Sequence, residues 1–171
     1  MKLLYKHSIN KSTHPNLHIF NIYAKKNRAQ KVGTFVCHKS EIPLRPGYNG
    51  SVLAIDYLEV NITNSGYGTK ILKFAQQYSQ KLGCKGYMIL KADGSFNPKR
   101  IPHLFYRKFG FSSFDKKTDR KLDEFIRRNK NATSEDFSTL LMHYPPKESG
   151  VDMKIFFQNF IKKLDIFNIF S

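Results

Sequence analysis

At 171 residues, with 40% hydrophobic side chains and fifteen Phe and nine Tyr, the chain can bury one substantial core and requires no second domain. Its formal net charge of +16 attracts polyanions and disfavours polycationic partners such as polyamines or histone-like tails. Two cysteines without close spacing exclude a zinc motif and a disulfide framework, which makes a reducing cytoplasm the expected compartment. The opening Met-Lys-Leu-Leu-Tyr-Lys holds too few apolar residues for a signal-peptide core, and no run approaches the ~20 residues of a membrane span.

Residues 2–9 and 18–24 cluster β-forming side chains and read as strands, separated by the polar stretch Ser12 to Asn16. Lys31 to His38 is a third strand. Ser40 to Gly50, with two prolines and two glycines, reads as a loop. His7 and His38 are isolated histidines near strand ends, where a satisfied or surface residue is the commoner outcome than a catalytic base. Residues 52–60 (VLAIDYLEV) form the central strand, on which the two-residue period sends Asp56 and Glu59 to opposite faces.

Ser65-Gly66-Tyr67-Gly68-Thr69 then supplies two glycines where a backbone must bend tightly or lie close to a ligand. Past them the period changes: Ile71, Ala75, Tyr78 and Leu82 fall at helical spacing, and Gly83 sits where a left-handed C-terminal cap belongs. A strand, a loop of unpaired amides and a helix N-terminus together make an anion site whose natural occupant is a phosphate. Lys70 and Lys73 lie on the polar side of this helix, where a solvated face explains them as well as a phosphate would.

Gly86 to Ala92 reads as the next strand, and Asp93 to Arg100 as a loop leading to Pro102, a residue suited to a first helical turn because its missing N–H would be unpaired there. Residues 112–134 are richer in charge than what precedes them. Between Lys99 and Lys130 eleven Lys or Arg stand against four Asp or Glu, a segment that could contact RNA or simply be a solvated face. It reads as helical around 119–129, with Leu122, Phe125 and Ile126 as its apolar stripe. Residues 137–144 form a last strand ended by Pro145-Pro146. The tail from 147 reads as an amphipathic helix with Met153, Phe156, Phe157, Phe160, Ile161 and Leu164 on one stripe. Five phenylalanines in its last sixteen residues are too many to leave in water, so the tail is expected to pack on the domain or on a second subunit in a homodimer, in preference to binding a membrane surface.

The segment Phe105-Tyr106-Arg107-Lys108-Phe109-Gly110-Phe111, taken with the glycine loop and the order of elements between them, resembles the GNAT superfamily of acetyl-CoA-dependent N-acyltransferases over residues 52–112. That resemblance implies an α+β fold, an α-β sandwich with a mixed, mostly antiparallel central sheet flanked by helices. Residues 1–146 would form the acyltransferase domain, 112–134 its basic insertion, and 147–171 the C-terminal helix. It implies acetyl-CoA as the cofactor, its pantetheine arm on the backbone around Leu58 and Val60 and its pyrophosphate on Ser65, Gly66, Tyr67, Gly68 and Thr69, with Lys70 near the adenosine phosphates. Asn97 is similar to the family's asparagine near the cofactor but lies further upstream of Tyr106 than usual. Thr63 stands where the family carries Arg or Gln, in a loop shorter than usual.

The resemblance further implies that Tyr106 protonates the departing thiolate, with an ordinary hydroxyl pKa of about 10, and that Asp56, Glu59 or water takes the amine proton. Asp56, four residues before Val60, is the first choice. The acceptor is left open: a small-molecule or protein amine, or the amine of an RNA-bound substrate such as aminoacyl-tRNA. A non-catalytic nucleic-acid or partner-binding module on the same fold is the reading from a different class.

Overall fold

The computed structural model describes residues 2–10, 12, 17–25, 27–45, 48–62, 65–95, 98 and 101–144. Thr63, Asn97 and the amphipathic segment 147–171 lie outside the described residues. The described chain runs β1 (Leu3–Asn10), β2 (Leu17–Ala24), β3 (Asn27–Arg45), β4 (Tyr48–Val60), α1 (Tyr67–Lys81), β5 (Met88–Ala92), α2 (His103–Phe109), β6 (Ser112–Ser113), α3 (Lys116–Arg127) and β7 (Leu140–Tyr144). The strands form one sheet in the order β1-β2-β3-β4-β5-β7-β6, with β4 and β5 the parallel pair and every other pairing antiparallel. This is the mixed, mostly antiparallel sheet that the resemblance implies.

All three described helices pack on one face. Ile71, Leu72 and Ala75 of α1, Tyr106 of α2 and Leu122 of α3 join Phe20, Ile22, Phe35, Leu53 and Ile55 in a single cluster. The stripe expected on α1 is therefore the one it buries. Gly83 follows the helix with φ +77°, the left-handed conformation that glycine reaches at least cost. A second, smaller cluster of Val52, Ala54 and Ile89, with Phe114 and Leu141 against it, lies on the opposite face.

Three expectations about local structure need correction. Ser40 to Gly50 is not a loop: β3 continues to Arg45 and β4 begins at Tyr48, with Pro43 paired to Asn49. The last β2 partner of β3 is Cys37, so Pro43 sits where one side of the strand has no neighbour to miss its N–H. The charged insertion becomes helical at Lys116, three residues earlier than its apolar stripe suggests. Its start is Asp115, whose side chain accepts from the amides of Lys117 at 3.1 Å and Thr118 at 2.9 Å and so satisfies two first-turn donors.

The third correction concerns the central strand. Cys37 pairs with Ile55 but Val36 pairs with Tyr57, so Asp56 is an extra residue on β4, a β-bulge. The bulge reverses the alternation. Leu53 and Ile55 face the helices before it, and Leu58 and Val60 do so after it. Tyr57 and Glu59, opposite Val36 and Thr34, therefore take the helix-free face, and Asp56 is held there too. The carboxylates of Asp56 and Glu59 share one face, where strict alternation would have parted them.

Candidate active site

The bulge marks the point at which two neighbouring strands separate. β4 and β5 pair through Leu53 with Met88, Ala54 with Ile89 and Ile55 with Leu90, and among the described residues the ladder stops there, although β4 runs on to Val60 and β5 to Ala92. Parallel strands that part leave the main-chain N–H and C=O groups of the outer stretch without ladder partners on that side, ready for an extended ligand. Leu58 and Val60 lie in this stretch.

The chain then delivers α1 beside the gap. Gly66 precedes the helix with φ +72°, and a Cβ built there would meet nothing within 4 Å, so its backbone can be approached closely from outside. Among the described residues no side chain caps the helix N-terminus, and the first turn holds no acid to offset the positive end of the macrodipole. Ser65 faces inward instead, its hydroxyl donating to the Ile62 carbonyl at 2.7 Å. Gly68 serves packing: a Cβ there would lie 2.8 Å from Cζ of Phe105, so the absent side chain lets α1 sit against α2. Tyr67 is buried, Lys70 partly buried, and Thr69 and Lys73 exposed.

That contact brings in the aromatic end of α2. Tyr106 is 8% exposed, with its ring edge-on to Phe111 and tilted on Phe105. Its hydroxyl has no hydrogen-bond partner among the described residues. Burial pushes its pKa up to about 12, not the ordinary value of about 10 expected from the sequence, because the charged form would lose its hydration.

On the opposite face of the sheet, Nδ1 of His38 donates to Oδ2 of Asp56 at 2.8 Å, with the two side chains 32% and 37% exposed. Glu59 is exposed on the same face. His38 is the residue that sequence reasoning undervalued. It looked isolated because the bulge that aims Asp56 at it has no glycine or other signal in VLAIDYLEV. Both cysteines are buried and free, and burial is the leading cause that raises each thiol pKa, so neither is an activated nucleophile. No group of three or more His, Cys, Asp or Glu capable of holding a metal occurs among the described residues.

No family model matches the chain, and no curated protein does. Solved structures do. Arabidopsis thaliana NAA60 in complex with acetyl-CoA superposes with a TM-score of 0.54 over 84% of this chain and 98% of that one, at 10% identity. The chain has the GNAT fold. A second structure of NAA60, in complex with a bisubstrate analogue, gives a TM-score of 0.50 at 12% identity, covering 75% of this chain and 76% of that one. A Bacillus halodurans protein solved as a tetramutant aligns at 17% identity and a TM-score of 0.48 over 61% of this chain, spanning 65% of its own length. Among the described residues no helix is long and apolar enough to cross a membrane.

Proposed function

We propose that the protein is an N-acetyltransferase that moves an acetyl group from acetyl-CoA to a primary amine by direct attack. The observation that carries the reading is the parting of β4 from β5 at the Asp56 bulge, beside an α1 N-terminus that no described side chain caps. An extended amide-bearing arm fits the first and a pyrophosphate the second. In this reading the backbone from Leu58 to Val60 binds the pantetheine arm, the amides from Ser65 to Thr69 hold the pyrophosphate, and Lys70 adds charge near the adenosine end.

Acetyl-CoA would supply the acetyl group as an activated thioester. The protein's task is to hold an unprotonated amine against it, take one amine proton and steady the sulfur as the N–C bond forms and the C–S bond breaks. Asp56, held by His38, or Glu59 or an ordered water takes the proton. Tyr106 acts at the sulfur. A hydroxyl at about 12 is a weaker acid than an ordinary thiol near ~8.5, so complete proton transfer to the thiolate is uphill. Tyr106 therefore serves as a hydrogen-bond donor to the developing thiolate, and solvent completes the protonation. The inert cysteines agree with direct transfer, since a covalent acyl-thiol route needs an accessible thiolate.

A second reading keeps the chemistry and changes the acceptor to an amine carried on RNA, such as aminoacyl-tRNA. The net charge of +16 and the exposed Lys116, Lys117, Arg120 and Arg127 of α3 favour it, because cations that neutralise phosphates release counterions. Part of the basic segment is already engaged within the fold: Arg107 binds Asp123, and Arg128 pairs with Glu124. The deciding experiment is release of free thiol from acetyl-CoA in the presence of small amines, peptides and charged tRNA. Turnover with any of them supports the enzyme, and salt-sensitive turnover with tRNA alone supports the second reading. Acetyl-CoA binding without turnover of any acceptor would leave a non-catalytic binding module.

A further inference from the structure

The two edges of the sheet are unequal. β6, at one side, pairs over Ser112 and Ser113 alone, whereas β1, at the other, runs for eight residues against β2 without a register shift, and no described strand lies on its outer side. The Lys25 N–H donates to the Lys2 carbonyl at 3.0 Å, in line with the register that sets Leu3 opposite Ala24. Antiparallel strands alternate hydrogen-bonded with non-hydrogen-bonded pairs, so Leu4, Lys6, Ser8 and Asn10 turn their main-chain groups to β2, and Leu3, Tyr5, His7 and Ile9 turn theirs outward. An open edge is ordinarily guarded by a proline, a bulge or an outward lysine. The strand LLYKHSIN has no proline and its pairing no bulge. Nζ of its one lysine, Lys6, lies 4.9 Å from the ring centroid of Tyr23 on β2, drawn in over the sheet. Ile9 is 44% exposed on this strand.

We infer that β1 is a homodimer interface, at which a second copy of the chain adds its own β1 antiparallel about a two-fold axis through His7 and joins the two sheets into one. The outward groups of both copies must face each other, which restricts the hydrogen-bonded partners to Leu3, Tyr5, His7 and Ile9. An axis through Lys6 would set it against the partner's Lys6 in a non-hydrogen-bonded pair, where side chains come closest and like charges repel. An axis through Tyr5 would leave Ile9 beyond the partner's Leu3, and one through Ser8 or Ile9 would pair fewer residues. The axis through His7 pairs residues 4–10, sets Ile9 against the partner's Tyr5 and places Lys6 opposite the partner's Ser8. His7 is no obstacle there: its ring stacks on Phe20 at 4.4 Å and its Nε2 meets Nδ1 of His18 at 3.0 Å, both on its own copy.

The pairing satisfies main-chain groups that the single sheet leaves at its edge and removes Ile9 from water. Opposing it is the repulsion between two copies of net charge +16, which salt screens. β2 and β3 separate β1 from the β4–β5 gap, so the inference does not rest on the acetyltransferase reading.

Sedimentation velocity of the full chain over a dilution series, in moderate salt, reads the association. The expected result is a reversible monomer–dimer equilibrium that Ile9→Lys shifts toward monomer by about tenfold or more while circular dichroism shows the domain still folded. Ile9→Pro removes an outward N–H that β2 does not use; it should have the same effect and serves as the second variant should Ile9→Lys disturb folding. Cysteine substitution reads the register. Under mild oxidation His7→Cys should give a covalent dimer, because the Cα atoms of a hydrogen-bonded pair stand ~5.5 Å apart, within disulfide range, and Ser8→Cys should not. The native Cys37 and Cys84 are buried and do not compete. A monomer at every concentration, a dimer that survives both Ile9 substitutions in the folded protein, or a covalent dimer from Ser8→Cys and not from His7→Cys would each overturn the inference.

Discussion

His38 and Asp56 meet at 2.8 Å across β3 and β4 only because β4 carries one residue more than β3 at that point. The same extra residue ends the β4–β5 ladder and turns Glu59 to the face of Asp56. One local irregularity thus opens the gap between strands and sets an acid beside it. If Asp56 takes the amine proton, Asp56→Asn should lower turnover by about 10²–10⁴-fold with acetyl-CoA affinity unchanged. His38→Gln, which keeps a donor but removes the ring, should lower it less. Steady-state kinetics with calorimetric cofactor titration separates the two effects, and full activity in Asp56→Asn would pass the role to Glu59 or water.

Tyr106→Phe removes a hydroxyl that has no hydrogen-bond partner among the described residues. The variant should be about as stable as the parent, because no hydrogen bond to a described residue is lost. Turnover should fall by about 10-fold or more with little change in acetyl-CoA affinity, in keeping with a donor that acts only as charge develops on sulfur. Thermal melts and kinetics on the one variant check both halves. Unchanged turnover would make Tyr106 a core aromatic and no more.

Arg107 ties the charged insertion to the site-bearing helix. Its Nε and Nη2 donate to the two carboxylate oxygens of Asp123, each at 2.7 Å, and its Nη1 donates to the Ser112 hydroxyl at 2.8 Å and the Phe111 carbonyl at 3.2 Å. This fork needs a planar guanidinium, so Arg107→Lys should lose most of what Arg107→Ala loses. The expected cost is about 2 kcal/mol, or a melting midpoint lower by a few degrees. Urea midpoints for both variants test it, and a Lys variant as stable as the parent would refute the geometric argument.

Acid should weaken the fold in two steps. Burial lowers the pKa of His103, whose Nε2 donates to the Ser138 carbonyl at 3.0 Å. Burial and then the neighbouring His7 lower that of His18. Folded-state pKa values below the ordinary ~6.5 mean that the unfolded chain takes up protons first. Stability is therefore full above that value and falls as pH drops through it toward the folded-state values. Asp93 and Asp136, lowered chiefly by backbone amides of Ser95 and Thr133, act in a separate window below ~4. Urea midpoints at pH 7.5 and 5.5 should show a loss that His103→Gln reduces. A stability that is flat or rising between them would contradict the burial of these imidazoles.

Most of the frame was legible because it rests on local signals. The stripe Ile71, Ala75, Tyr78 and Leu82, the glycines at 66 and 83, and the aromatic run around Tyr106 each report a backbone requirement that the sequence states directly. What escaped depends on partners distant in sequence. The length of the β3–β4 hairpin was hidden because Pro43 reads as a breaker unless one knows that β2 has already ended. The shared face of Asp56 and Glu59 was hidden because a bulge is set by register against Val36 and Cys37, not by its own residues. Asp115 alone among the misses left a local trace, as an Asp three residues before Thr118 at a helix start.

The most direct test of the account is thermal unfolding with and without acetyl-CoA. A ligand at 100 times its dissociation constant stabilises a fold by about 2.7 kcal/mol, enough to raise the midpoint by a few degrees. The account predicts that rise, and a smaller one with an acetyl-pantetheine fragment that lacks the pyrophosphate. No shift at saturating acetyl-CoA would mean that the parted strands and the α1 N-terminus do not hold the cofactor.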